Sequence, residues 1–138
     1  MPESEALRPT PARFEGVTPI LRVASLPASL AFYEGVLGFR LDWRAGPMAG
    51  VSRDRAGLML CEGSQGRPGT WVWFGVEDVE PLFGEYSAAG ATIRLGPTNY
   101  PWAREFHVED PDGHVLRFGS EPLDDRPFSE WVAWDQGG

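Results

Sequence analysis

The spacing of hydrophobic and polar positions in the first half of the chain predicts a strand, a helix and three further strands. The first strand is predicted at residues 17–23. A helix follows, which begins after Ser25, because a serine oxygen can accept a hydrogen bond from the first turn, and ends at Gly38. Three short strands are then predicted near residues 39–44, 50–53 and 58–62.

The same order of elements recurs in the second half of the chain. A strand at residues 70–74 precedes a helix at residues 79–89, for which Asp78 is the predicted N-cap. Strands are predicted near residues 91–95, 104–108 and 114–118. A repeat at about half the length of a domain favours two fused units over a solenoid, whose periods are shorter. The sequence therefore predicts an α+β fold of two tandem βαβββ modules, residues 14–66 and 67–119.

The two ends of the chain lie outside this repeat. Residues 1–13 contain three prolines and mixed charges, which predicts a flexible N-terminal arm. Residues 120–138 place Phe128, Trp131 and Trp134 among acidic residues. Because aromatic side chains seldom stay in water without a partner, we expect this C-terminal tail to dock on this domain or on a neighbouring subunit.

Alternation within the last two strands separates an apolar face from a polar one. Phe106 and Val108 fall on one face, whereas Glu105 and His107 fall on the other. Leu116 and Phe118 are likewise opposed to Val115 and Arg117. The apolar face is predicted to pack on the helices, and the polar face to line water or a pocket.

Composition and charge exclude several classes of function. The net charge of −8 argues against nucleic-acid binding, because nothing in the chain could neutralise a row of phosphates. It favours a cationic small molecule, although the same charge could simply keep the protein soluble. No apolar run approaches the roughly 20 residues of a membrane span, and residues 1–11 do not form a secretory signal. Cys61 is the only cysteine, which fits the cytoplasm and a buried, unreactive thiol.

Two longer motifs resemble those of a known superfamily. The segment ILRVASLPASLAFYEGVLGF at residues 20–39 and the segment REFHVEDPDGHVLRFG at residues 104–119 resemble the opening and closing signatures of the glyoxalase/bleomycin-resistance (vicinal oxygen chelate) superfamily. The motifs TPIL, AGVSRD, WVWFGVEDVEPLF and PWAREF are similar to those of its bleomycin-resistance branch. The resemblance implies a homodimer, often with an exchanged N-terminal strand, that binds a drug unaltered in two interface grooves.

The resemblance also locates the positions at which enzymes of this superfamily hold a metal ion. These positions correspond here to Thr18, Met59, Trp71 and Arg117, none of which is a usual metal ligand. His107 and His114 flank the DPDG turn and do not match ligand positions, and His114 is expected to be exposed. We therefore expect no metal and no cofactor, although the two histidines with a nearby carboxylate remain an alternative metal site.

Without a metal ion, the predicted groove offers mainly aromatic side chains to a ligand. Flat indole rings suit a planar heteroaromatic group, and a cationic tail could use the indole faces and carboxylates such as Asp42, Asp54 or Glu105. The resulting hypothesis is a protein that sequesters a planar, cationic glycopeptide-type antibiotic. The resemblance implies that Trp43, Met48 and Trp102 line or border the drug groove. The other predicted ligand-binding residues are Trp71, Trp73, Glu105, His107 and Arg117.

Two other functions remain open at this stage. The chain could be a glyoxalase-like lyase or another enzyme that uses His107, Glu105 or Arg117 for acid–base chemistry. It could also be an interaction protein whose groove accepts a peptide or the tail's own tryptophans. In addition, Arg104 and Glu105 could form a simple surface ion pair without any role in a groove.

Overall fold

The order of one strand, one helix and three strands occurs twice in the structure, a computed structural model that describes residues 10–129. The first module consists of β1 (Ile20–Arg22), α1 (Leu26–Gly35), β2 (Arg40–Ala45), β3 (Met48–Arg53) and β4 (Ala56–Cys61). The second module consists of β5 (Trp71–Gly75), α2 (Val79–Ala88), β6 (Thr92–Asn99), β7 (Arg104–Glu109) and β8 (Val115–Ser120). The predicted α+β fold of two βαβββ modules is confirmed.

Each module forms a four-stranded sheet with the same topology. The strand orders are β1-β4-β3-β2 and β5-β8-β7-β6. The first strand of each module pairs in parallel with the last, and the other neighbours pair antiparallel. A parallel pair needs a long crossover, which the helix and the next two strands provide. The helix thereby covers one face of its sheet.

Local sequence signals set the helix ends as predicted. The Ser25 hydroxyl accepts a hydrogen bond from the backbone N–H of Ala28, and Asp78 does the same for Glu80. Gly38 follows α1 with φ +74°, a conformation that side-chain-bearing residues rarely adopt. These residues fix where both helices begin and where the chain turns after α1.

One apolar core runs through both modules. Phe39 of the first module meets Phe74 of the second edge-on, with ring centroids 6.0 Å apart. Phe74 then stacks on Phe118 at 4.9 Å. The core contains Leu21, Leu30, Val51, Leu60, Tyr86, Phe106, Val108 and Leu116, among others. Because the modules share this core, they form a single packed unit.

Polar contacts from the DPDG turn also join the modules. The Tyr33 hydroxyl of α1 donates to Asp110 Oδ2 at 2.8 Å in a buried position. Asp112 accepts a hydrogen bond from the backbone N–H of Ala24 at 2.8 Å. Burial raises the pKa of Asp110, against the opposing effect of its hydrogen bonds with Tyr33 and His114, and burial next to Asp110 raises the pKa of Tyr33. Tyr33 is therefore a neutral donor to this carboxyl group.

The structure corrects the expectation that His114 is exposed. Its side chain is fully buried, Nδ1 accepts the backbone N–H of Thr70 at 2.9 Å, and Nε2 lies 2.6 Å from the carbonyl oxygen of Arg22. These partners place the ring proton on Nε2. His114 is buried because its ring contacts the backbone of β1 in the first module, a contact that local sequence does not encode.

The bounds of β1 and β6 differ most from the prediction. β1 is shorter than expected, and Val17 is almost fully exposed before it. β6 is longer and runs through Pro97, which is tolerated because β6 is an edge strand and its pairing with β7 is irregular around this position. The irregularities lie between Ile93 and Leu95 and between Leu95 and Thr98.

The chain beyond β8 returns to the end of β6. The Asn99 side chain accepts from the backbone N–H of Leu123 at 2.7 Å and donates to the Leu123 carbonyl at 3.1 Å. The backbone N–H of Ser129 donates to the Asn99 carbonyl, and Phe128 is half exposed. Trp131 and Trp134, for which docking is predicted, lie outside the described residues.

We predict that Tyr33→Phe weakens the link between the modules. The buried Asp110 carboxyl group loses a donor, so the free energy of unfolding should fall by about 1–3 kcal/mol in urea denaturation. A double-mutant cycle with Asp110→Asn isolates the pair. Fully additive effects of the two substitutions would contradict this assignment.

Candidate functional site

Aromatic and polar side chains occupy the face of each sheet that points away from the core, which we call the outer face. On β7, Phe106 and Val108 enter the core while Glu105 and His107 alternate with them, as predicted. The outer face of the second sheet carries Trp71, Trp73, Glu105, His107 and Arg117. The outer face of the first sheet carries Ile20, Trp43, Met48 and Met59.

A glycine on the neighbouring strand lies beneath an indole on each outer face. A Cβ atom at Gly50 would clash with the Trp43 indole, and a Cβ atom at Gly119 would clash with the Trp73 indole. The two indoles can therefore lie against backbone only because these positions lack a side chain. Trp43 remains 40% exposed and Trp73 46% exposed, so both present a broad aromatic surface.

An arginine covers each indole of the second sheet. The guanidinium carbon of Arg117 lies 5.1 Å from the centroid of the Trp73 ring, and that of Arg94 lies 5.2 Å from the Trp71 ring. Both distances are within the range of cation–π attraction. His107 meets Trp71 edge-on, with ring centroids 5.9 Å apart. The outer face thus consists of paired cations and indoles.

Glu105 is the polar centre of this arrangement. Its side chain is fully buried, and Oε1 accepts a hydrogen bond from Nε of Arg117 at 2.9 Å. The same oxygen lies 2.9 Å from Nη2 of Arg117 and 2.7 Å from Nε2 of His107. Oε2 accepts from Trp102 Nε1 at 2.8 Å. One carboxylate therefore orients three neighbouring side chains, each through a short hydrogen bond.

These contacts keep Glu105 ionised. Burial alone would raise the pKa of Glu105, but hydrogen bonds with His107, Trp102 and Arg117 together bring it below its ordinary value of 4.5. The charge on the carboxylate balances the guanidinium of Arg117, which is 24% exposed. A buried charge requires such partners, so the cluster is stable only as a set.

Trp102 joins the cluster from the loop between β6 and β7. Its indole stacks on Tyr100 with ring centroids 4.7 Å apart and an interplanar angle of 3°. It is 45% exposed while its N–H reaches Glu105. The alternative of an Arg104–Glu105 surface pair is wrong, because the two residues point to opposite faces of β7. Arg104 instead pairs with Glu80 at 2.7 Å.

The structure brings six of the eight predicted site residues together on the second sheet. Trp71, Trp73 and Trp102 surround the pair formed by Glu105 and Arg117, with His107 between Glu105 and Trp71. Trp43 and Met48 lie on the first sheet instead, so they do not belong to this cluster.

Sequence reasoning missed Arg94, Tyr100, Gly50 and Gly119 as parts of the site. A bulge in β6 beside Arg94 defeats simple alternation, so the prediction could not assign this residue to a face. Tyr100 directly precedes the PWAREF motif and could have been noticed there. Gly50 lies directly opposite Trp43, and Gly119 lies on the strand that pairs with that of Trp73, neighbours that only the strand pairing reveals.

The side chains at the four metal positions of the superfamily do not fit a metal ion in this chain. A hydroxyl, a thioether, an indole and a guanidinium stand at Thr18, Met59, Trp71 and Arg117, and a guanidinium repels cations. Within residues 10–129, no three His, Cys, Asp or Glu side chains form a group that could hold a metal ion. The two histidines also have separate partners, Glu105 for His107 and backbone groups for His114.

An open cleft of about 1210 Å³ lies beside Trp73 between the two modules. Its walls include Leu58 and Arg53 of the first module and Phe74 and Leu82 of the second. Arg53 closes one side through its 2.6 Å ion pair with Glu85. The Trp73 indole is thus accessible from the cleft as well as from the outer face.

Among the helices of the described chain, none is both long and apolar enough to cross a bilayer.

We predict that Glu105→Gln destabilises the fold in a pH-dependent way. Because the folded-state pKa lies below 4.5, the carboxylate stabilises the protein above that pH, and the effect is lost as the pH falls through the folded pKa. At pH 7 the loss should be about 3–5 kcal/mol, because a buried charge pair is broken. Thermal unfolding of both proteins from pH 7 to 3 tests this, and a constant difference across that range would contradict it.

Comparisons with known proteins place this site in context. A bleomycin-binding protein from the bleomycin-producing Streptomyces verticillus, solved with copper(II)-bleomycin, is 28% identical, with a TM-score of 0.69 over 79% of this chain and 98% of that chain. An integron cassette protein from the mobile metagenome of Halifax Harbour sewage outfall is 25% identical, with a TM-score of 0.66 over 78% and 99%. TioX from Micromonospora sp. ML1, at 24% identity and a TM-score of 0.66 over 78% and 100%, shares the fold.

A search of the curated proteins gave no significant match. The family model of the Glyoxalase/Bleomycin resistance protein/Dioxygenase superfamily, however, matches residues 14–118. This match covers both βαβββ modules, and the solved structures above have the same fold. The chain therefore belongs to the Glyoxalase/Bleomycin resistance protein/Dioxygenase superfamily.

Proposed function

We propose that this chain is a metal-free binding protein that sequesters a planar, antibiotic-like small molecule and leaves it chemically unchanged. The observation that carries the proposal is the set of half-exposed indoles held in fixed positions on the outer faces, with Trp43 and Trp73 seated on glycines. The bleomycin-binding protein of Streptomyces verticillus supports a drug of the glycopeptide class as one candidate.

Because the indoles are already held in position, a ligand can stack on them with little loss of side-chain entropy. Each aromatic contact adds about 0.5–1.5 kcal/mol beyond the burial of apolar area. Gly119 and Arg117 contact the Trp73 ring, and Tyr100 and Glu105 hold the Trp102 ring, yet both rings stay nearly half exposed. A ligand that stacks on these rings therefore loses less free energy to side-chain ordering than on a mobile surface.

We further propose that two copies form a homodimer whose grooves enclose the ligand. An open sheet face cannot surround a ligand, whereas small-molecule sites commonly bury roughly 70–90% of their ligand's surface. Ile20, Trp43 and Trp73 are 37%, 40% and 46% exposed in the single chain, which leaves apolar surface for a second copy to cover. We also propose that the two copies exchange their N-terminal strands. The protein would then act in antibiotic resistance in the cytoplasm.

An enzymatic role, for example as a glyoxalase-like lyase, receives less support from the geometry. The acid–base candidates Glu105 and His107 are both fully buried and bonded to each other. A general acid or base must reach the proton that it transfers. We therefore assign these two residues a positioning role toward Trp71, Trp102 and Arg117.

We predict saturable, stoichiometric binding in a calorimetric titration with bleomycin and other planar-ring antibiotics. At least one drug should bind at one molecule per chain and be recovered with unchanged mass. Trp73→Ala should raise its Kd by about tenfold or more, the equivalent of ~1.4 kcal/mol, and Trp73→Phe by less because a ring remains. Multiple turnover to a product would favour the enzyme, and no binding across the panel would contradict the proposal.

We predict that Gly119→Ala impairs binding while leaving the fold intact. The new methyl group displaces the half-exposed Trp73 indole, which can move into solvent. The Kd of the drug found above should rise by a factor similar to that of Trp73→Ala. Gly84→Ala is the matched control, since nothing lies within 4 Å of a Cβ there. Unchanged affinity in Gly119→Ala would show that the seated position of Trp73 is irrelevant.

A further inference from the structure

We propose that the segment of residues 121–129, which we call the strap, controls the aromatic site of the second sheet by holding the loop that carries Trp102. Asn99 is the positioning residue through which the strap acts. This inference rests on the proposed binding function and concerns the regulation of that same site. The strap contacts β6, the edge strand of the sheet, whereas Glu105 contacts Trp102 from β7.

Asn99 binds the strap at two points. Its side-chain amide accepts a hydrogen bond from the backbone N–H of Leu123 at 2.7 Å and donates one to the Leu123 carbonyl at 3.1 Å. Its own carbonyl accepts a further hydrogen bond from the backbone N–H of Ser129 at 2.6 Å. Asn99 is only 3% exposed. A carboxamide has a donor and an acceptor, so it can bond both polar groups of a peptide, which an ionised aspartate cannot do.

Asn99 also lies at the base of the loop, residues 100–103. It forms the last pair between β6 and β7, and the backbone N–H of Tyr100 donates to the Ala103 carbonyl at 2.9 Å. This bond leaves two residues at the tip of the loop, one of which is Trp102. Because so few residues separate Asn99 from the tip, a shift of Asn99 moves Trp102 as well.

The contacts of Trp102 depend on the position of this loop. The indole stacks on the buried Tyr100 with ring centroids 4.7 Å apart, and its N–H donates to Glu105 at 2.8 Å. A hydrogen bond weakens steeply once its distance and angle leave a narrow range. A displaced loop therefore loses the hydrogen bond to Glu105, and the aromatic surface on which the proposed ligand stacks loses its fixed position.

The strap can open while the core stays folded. It belongs to neither sheet, its residues 124–129 are exposed, and Phe128 is 51% exposed. Segments with few buried contacts open locally at a much lower free energy than the whole domain unfolds. The strap is thus suited to set the affinity of the site without disturbing the two modules.

The test combines exchange of the Trp102 indole N–H with water, followed by NMR, with the Kd of bleomycin, measured by calorimetry. Asn99→Asp keeps the shape of the side chain but removes its donor to the Leu123 carbonyl. Leu123→Pro removes the N–H that Asn99 accepts and leaves Asn99 unchanged. We expect each variant to speed the exchange and to raise the Kd by about three- to tenfold, the effect of losing roughly one hydrogen bond.

Three controls separate positioning from general destabilisation. Leu123→Ala keeps both backbone groups that Asn99 binds and should behave as the unchanged protein does. The backbone N–H of Thr70, which donates to the buried His114, should exchange as before, because a loss of global stability would speed its exchange too. Asn99→Asp combined with Leu123→Pro should have no larger effect than the stronger single variant, since both break the same contact. The Trp102 signal is identified by its loss in Trp102→Phe.

The outcomes separate the two proposals. Unchanged indole exchange in both variants would overturn the inference, and so would faster exchange with an unchanged Kd, while the binding function stands in either case. If bleomycin does not bind the unchanged protein, the drug of the panel that does takes its place. If no drug binds, the proposed function is wrong, and the control of ligand affinity that we infer falls with it.

Discussion

The buried carboxylate of Glu105 is the interaction on which the outer face of the second sheet depends. An ionised group without water is tolerated only when donors surround it, and here Arg117, His107 and Trp102 supply them. The same contacts direct the guanidinium onto Trp73 and hold the Trp102 indole at the surface. Much of the aromatic surface is thereby fixed by one charge.

The fold supplies the conditions for this arrangement. Strand alternation places the carboxylate and its partners opposite the apolar core, and the parallel pairing of β5 with β8 sets Trp73 beside Arg117 and over Gly119. The DPDG turn anchors β7 and β8 to the first module through Tyr33, Ala24 and the backbone of β1. The contacts that position the site therefore also hold the two modules together.

Sequence patterns predicted what depends on near neighbours and failed where distant segments meet. The helix caps at Ser25 and Asp78 and the faces of β7 depend on spacings of a few residues, and these predictions are confirmed. His114 was expected to be exposed, but it bonds to Arg22, 92 residues away in sequence. The bulge beside Arg94 is likewise a property of strand pairing. Six of the predicted site residues lie together because five of them alternate with core residues on three neighbouring strands and the sixth lies in the loop before β7.

The titration of the Glu105 carboxyl group tests the account most directly. The side-chain carboxyl carbon, labelled with ¹³C, can be followed by NMR as the pH is lowered. The account predicts a midpoint below 4.5, the ordinary value for glutamate, because the donors outweigh the effect of burial. A midpoint above 4.5 would contradict the account, because the carboxyl group would then become neutral too readily to hold Arg117 and Trp102 in place.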